Sequence, residues 1–151
     1  MKLLNYDVLI AGAGVAGLNC ALHLPAEKRV LIVCKGGLRQ SDSFLAQGGI
    51  CVLRDREDFA GYFEDTMRAG HYENDPETVR CMIEHSRETI ADLIESGVRF
   101  EREQNGELSY TREGAHSRPR ILYHADCTGK EITSRLLKQA LKQKNIRFLP
   151  H

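Results

Sequence analysis

An α/β fold is predicted for this 151-residue sequence. The expected core is a βαβ unit over about residues 6–35, completed by a helix and strand over about residues 128–150, with a mostly helical insertion over about residues 50–127 between the second and third strands. Three features predict it. Val8-Leu9-Ile10 is a short apolar run that stops at Ala11 and Gly12, as a buried parallel strand does. Gly12, Gly14 and Gly17 follow as G-x-G-x-x-G where that run gives way to an apolar helix, Val15 to Leu24. A second apolar run, Val30 to Cys34, arrives at the separation a βαβ unit needs.

Each glycine has a separate task. Gly12 makes the tight turn, Gly14 lets backbone approach a diphosphate, and Gly17 lets the helix pack closely on the strand. The N–H groups of the first helical turn then face the anion. The pattern therefore reads as a Rossmann-like dinucleotide-binding core, a structural glycine turn being the other reading.

Bulk composition narrows the function classes. With 42% hydrophobic and 28% charged residues, the chain has the material for about one globular domain. Lys plus Arg equals Asp plus Glu at 21 each, so no net field draws it to nucleic acid or an acidic membrane, and neither is expected as a partner. The opening MKLLNYDVLI is interrupted by Asn5 and Asp7, which suits neither a signal peptide nor a membrane span; a cytoplasmic location is expected. Five cysteines without a C-x-x-C pair argue against a disulfide framework or a zinc site, and no metal is expected; the thiols are expected to be mostly buried. The last residues, Ile146 to His151, read as a strand just begun after a helix. The expectation is an incomplete domain, a piece of a longer enzyme whose capping and C-terminal domains are absent.

Past the second strand the chain leaves the common nucleotide pattern. Where an acidic residue would accept the ribose hydroxyls, it carries Cys34 and Lys35. Lysine accepts no hydrogen bond, so a simple nicotinamide dehydrogenase is disfavoured, and Lys35 is either a ligand cation or a solvated strand-end charge. The run Gln40 to Ile50 offers hydroxyls, an amide and two glycines, and is open to reading as a ligand loop or a plain turn.

The insertion begins with a helical pattern from Asp58 to His71, where Phe59, Tyr62, Phe63, Met67 and Gly70 share a face and Glu64, Asp65 and Arg68 point outward. A second helix opens at Asp75-Pro76, buries Val79, Met82, Ile83, Ile90, Leu93 and Ile94, and ends at Gly97. His71 and His85 lie in these helices and read as structural. Asn105-Gly106 predicts a hairpin with a primed turn. Thr111 to Arg120 then gathers Glu113, His116, Ser117 and three arginines; guanidinium groups suit a dicarboxylate and Glu113 an ammonium, although an exposed polar loop has the same composition. Thr128-x-x-Glu131 is a capping box opening a helix through Ile132, Leu136, Leu137, Ala140 and Leu141.

AGAGVAGL, the Cys-Lys-Gly after strand two, SDSFLAQGGI and TREGAHSRPRILYHADCTGKEI together resemble the flavoproteins of the succinate dehydrogenase and fumarate reductase superfamily, the L-aspartate oxidases most closely. The resemblance implies FAD contacts at Gly12, Ala13, Gly14, Val15, Ala16, Gly17 and Lys35, and along Asp42, Ser43, Phe44, Leu45, Ala46, Gln47, Gly48 and Gly49. Succinate dehydrogenases carry a flavin-linking histidine where Asp42 stands, so the FAD is expected to be non-covalent. The resemblance makes Glu113 the contact for a substrate amino group. It implies oxidation of L-aspartate to iminoaspartate with oxygen or fumarate as acceptor, feeding quinolinate and NAD synthesis with quinolinate synthase as partner. The catalytic base and the remaining substrate clamp fall outside this sequence, so it names no catalytic residue and the piece alone is expected to be inactive. The competing readings are a soluble fumarate reductase or succinate dehydrogenase flavoprotein and a non-catalytic nucleotide-binding module.

Overall fold

A computed structural model describes residues 5–150, and side chains through residue 149. In chain order the elements are β1 (Val8–Ala11), α1 (Val15–His23), β2 (Val30–Cys34), α2 (Asp42–Leu45), β3 (Ile50–Cys51), α3 (Asp58–Ala69), α4 (Pro76–Glu95), β4 (Ile121–Leu122), α5 (Thr128–Ala140) and β5 (Ile146–Pro150). They form two compact units. One comprises Met1–Gln47, Ser96–Val98 and Gly129–His151; the other comprises Gly48–Glu95 and Arg99–Thr128.

The first unit is the predicted α/β core. Its sheet is parallel in the order β1-β2-β5, with Ile10 beside Ile32 and Ile32 beside Phe148. Val30, Ile32 and Ile146 are buried, as are Leu18 and Ala21 of α1 and Ile132, Leu136, Leu137 and Ala140 of α5. The alternate face stays open: Leu9 is 66% and Leu149 53% exposed. β1 is the edge strand of the β1-β2-β5 sheet and its residues alternate between half-buried and exposed, so it is not the fully buried strand expected. The α1 helix stops at His23, since Pro25 drives Leu24 into extended backbone. Leu141, expected on the buried stripe of α5, lies beyond the helix and is exposed.

In the second unit α3 packs on α4 around Tyr62, Met67, Val79 and Ile83. Asp75 caps α4 by accepting from the Thr78 N–H at 2.7 Å, and Pro76 takes the first helical position, as the sequence predicts. Six expectations need correction. The α3 helix ends at Ala69: His71 and Tyr72 adopt left-handed backbone, and the Tyr72 N–H closes the end onto the Met67 carbonyl. Asp65 faces inward, because an arginine far along the chain meets it. Met82 is exposed, and none of the five cysteines is fully buried. The turn before Glu107 spans Glu103 to Gly106 with Gly106 alone at positive φ, so it is a three-residue loop and not a primed two-residue turn. Thr128 stands inside α5, its hydroxyl accepting from the His124 N–H, while Glu131 pairs with Arg135.

Candidate cofactor and substrate sites

At the carboxyl ends of the parallel strands the first unit holds a cleft of about 1020 Å³. Ligands of open α/β sheets bind at that edge. Gly12 sits at φ +115°, conformational space that favours glycine, and its N–H bonds to the Val33 carbonyl at 2.8 Å. Gly14 is the N-cap of α1 and offers no side chain to its first-turn N–H groups. A Cβ on Gly17 would collide with the Gly12 carbonyl and crowd Ile10, so the close helix–strand approach is real. Ser43 reaches the same helix end: its hydroxyl accepts from the Val15 N–H at 3.2 Å and keeps its own proton free to donate.

Of the residues expected at the cofactor, Gly12, Ala13, Gly14, Lys35 and Asp42 line this cleft. Val15, Ala16 and Gly17 belong to the helix start behind it, and Phe44 and Leu45 to α2, where Leu45 is exposed. Ala46 is tethered, its carbonyl accepting from the Gly129 N–H at 3.0 Å. Gln47 is exposed. Gly48 and Gly49 fall in the second unit: Gly48 lies beside Glu113, and a Cβ on Gly49 would collide with Ile121 and Leu122, which makes Gly49 a packing residue. Gly36, Gly37 and Gln40 also line the cleft; Gln40 opens the run left open as a ligand loop, but no cofactor contact was expected at any of the three, and the Gln40 side chain fixes that turn by accepting from the Gly37 N–H at 2.7 Å. The signal was the glycine pair directly past the second strand.

Glu113 is exposed in the second unit, and its carboxylate oxygens lie 3.7 and 3.8 Å from where a Cβ on Gly48 would stand. No hydrogen bond or ion pair to that carboxylate forms among the described residues. The arginines of the same loop behave differently from expectation. Arg120 is fully buried, with its Nε and Nη2 on the two oxygens of Asp58 at 3.0 and 2.7 Å and its Nη1 on Asp65 at 2.6 Å. Arg118 pairs with Asp55 at 3.5 Å and lies 3.7 Å from Asp58. Arg120 therefore holds the loop and is not free to clamp a dicarboxylate, because two buried carboxylates require its charge. Arg112 remains exposed.

The same cluster shapes the ionisation of its members. Burial works to raise the Asp65 carboxyl, but the Ser117 hydroxyl and N–H and the Arg120 guanidinium outweigh it and hold Asp65 at about 2. Burial pushes the Cys51 thiol up, so it serves as a neutral hydrogen-bonding partner and not as a thiolate. Cys51, Tyr62, Asp65 and His116 border a second cavity of about 510 Å³.

The family described as FAD binding domain matches residues 7–151. This chain belongs to that family. This FAD binding domain is 46% identical over 143 residues to the L-aspartate oxidase of Clostridium perfringens, across 95% of this chain and 32% of that protein. It is 43% identical over 153 residues to the L-aspartate oxidase of Pseudomonas aeruginosa, across 96% of this chain and 28% of that protein. The chain thus spans a third or less of the length of these curated relatives. Among solved structures it is similar to Mycobacterium smegmatis Sdh1, with a TM-score of 0.91 and 25% identity across 99% of this chain and 28% of that one. It shares the fold of E. coli quinol fumarate reductase FrdA at a TM-score of 0.92, with 24% identity across 98% of this chain and 26% of that one.

The cleft of this FAD binding domain fits the cofactor. Its donors are those an anionic dinucleotide needs: the first turn of α1, where Gly14 brings no side-chain cap and the Ser43 hydroxyl takes the Val15 N–H, and the Lys35 ammonium on the cleft wall, in a volume at the upper end for a small-molecule site. Among the described residues no helix is long and apolar enough to cross a membrane, and no cluster of side chains suits a metal ion. Gly17→Ala is expected to push α1 off β1 and lower flavin retention in a purified, FAD-reconstituted protein; retention equal to wild type would show that the close approach is dispensable.

Proposed function

We propose that this chain supplies the FAD-binding segment of an L-aspartate oxidase, oxidising L-aspartate to iminoaspartate with oxygen or fumarate as electron acceptor. That places it at the first step toward quinolinate and NAD, with quinolinate synthase as the partner that consumes the product. In this reading FAD is held non-covalently, its diphosphate against Gly12 to Gly17, with Lys35 and Ser43 donating to its oxygens. FAD, when bound, supplies a two-electron acceptor for oxidation of the amino acid.

The substrate assignment is carried by the Glu113 carboxylate. It is exposed and unpaired beside Gly48, in a loop whose arginines Arg118 and Arg120 are engaged elsewhere. A carboxylate left free in this way suits an ammonium, and it repels a dicarboxylate that lacks one. The 46% identity to an L-aspartate oxidase over 95% of the chain supports the same choice.

The test compares aspartate with succinate as reductant of the flavin in the complete enzyme that carries this segment. Aspartate should bleach it and succinate should not; the reverse result would assign the protein to the succinate dehydrogenase type. Glu113→Gln should weaken aspartate use by about tenfold, the effect of losing one charge-assisted hydrogen bond. Fumarate handling should change far less. Equal losses on both substrates would remove Glu113 from the amino-group site.

A further inference from the structure

We propose that Arg120 is a positioning residue, which sets the tautomer of His116 and pins the Glu113–Ser117 turn to α3. Its bearing on catalysis rests on the reading of Glu113 above; its geometry does not. A guanidinium has five N–H donors and no acceptor. Here all five are directed at partners. Nε and one Nη2 proton go to Asp58, one Nη1 proton to Asp65, the second Nη2 proton to the Ser117 hydroxyl at 3.3 Å, and the second Nη1 proton to Nδ1 of His116 at 3.2 Å. Because Arg120 only donates, Nδ1 must present its lone pair. The ring proton is then on Nε2, which faces Cys51 Sγ at 3.4 Å.

The guanidinium has no room to turn. It is fully buried, bidentate on Asp58, and lies with its central carbon 5.1 Å from the centre of the Tyr62 ring. That tyrosine also meets the His116 ring edge-on at 6.4 Å. From this anchor the turn is held at three points. The Ser117 N–H and hydroxyl both donate to Asp65 at 2.6 Å, the His116 ring accepts from Arg120, and the His116 N–H donates to the Glu113 carbonyl at 3.0 Å. The Glu113 carboxylate beside Gly48 thus hangs from a turn whose far side is fixed by Arg120 and Asp65.

The experiment uses the complete enzyme that carries this segment, ¹⁵N-labelled at histidine and arginine, with no substrate added. Ring nitrogen shifts of His116 should report Nε2–H with Nδ1 unprotonated, and a coupling across the hydrogen bond should link Arg120 Nη1 to His116 Nδ1. An Nδ1–H ring, or no coupling, overturns the assignment. Arg120→Lys keeps a positive charge facing Asp58 and Asp65 but loses the planar fork. In that variant His116 should populate both tautomers, and its amide should exchange about tenfold faster as the turn loosens. An Nε2–H ring and unchanged exchange in the folded variant would overturn the role of Arg120; should the variant not fold, the wild-type coupling decides. Failure here leaves the aspartate reading standing, and failure of aspartate selectivity leaves this result untouched.

Discussion

Arg120→Met is expected to destabilise the chain by about 3–5 kcal/mol, the usual penalty for removing one partner of a buried ion pair. The size follows from what remains behind. Asp58 and Asp65 are 1% and 3% exposed, and the substitution leaves both without their main counter-charge, while His116 and Ser117 lose a donor. Arg68, which reaches Asp65 at 2.6 Å from a largely exposed position, is a partial substitute at best. Urea denaturation followed by circular dichroism measures the difference. The partner prediction separates charge from packing: replacing Arg120, Asp58 and Asp65 together by apolar residues should recover much of the loss, since desolvating the ions is itself costly. A single Arg120→Met that loses less than about 1 kcal/mol would mean that water already reaches this cluster.

Acid should selectively weaken the same unit. Asp65 ionises at about 2 in the folded chain, against an ordinary value of 3.8. A carboxyl lowered by folding contributes stability that is fully present above its unfolded pKa and is lost as pH falls through the folded one. Between about pH 4 and pH 2 the chain should therefore lose about 2 kcal/mol from this residue alone. Asp65→Asn should be less stable at neutral pH and should show a flatter stability profile across that window. Urea midpoints at a series of pH values test it, and parallel profiles for the two proteins would show that Asp65 is not held by Ser117 and Arg120 as described.

Much of the core was legible because its signals are local. The apolar run, the glycine spacing and the second apolar run each restrict their own few residues, and β1, α1 and β2 follow from them. The N-cap at Asp75 is equally local. What escaped depends on residues distant in sequence, or on single side-chain contacts that no motif announces. Helical periodicity put Asp65 on the wet side of α3, yet Arg120 arrives from 55 residues away and turns that position inward. The loop from Thr111 to Arg120 could be counted for charge but not sorted, since only the fold tells the buried guanidinium of Arg120 from the exposed side chain of Glu113. In the cleft, the Gly12 turn was readable, while the side chain of Gln40 that braces Gly37 has no motif to announce it. Thr128 and Glu131 matched a capping pattern, but the hydroxyl found a nearer donor in the His124 N–H.

Gly129 has a reach that its own position does not suggest. A side chain there would run into the carbonyls of Ser43 and Ala46, so the start of α5 and the segment after Ser41 share a seam only one backbone wide. Ser41 and Asp42 form one wall of the cofactor cleft. The width of that chamber is therefore inherited from a residue late in the chain that never lines it. Enlarging residue 129 would reshape the chamber by displacing its wall, even though every residue expected to meet the ligand stayed the same.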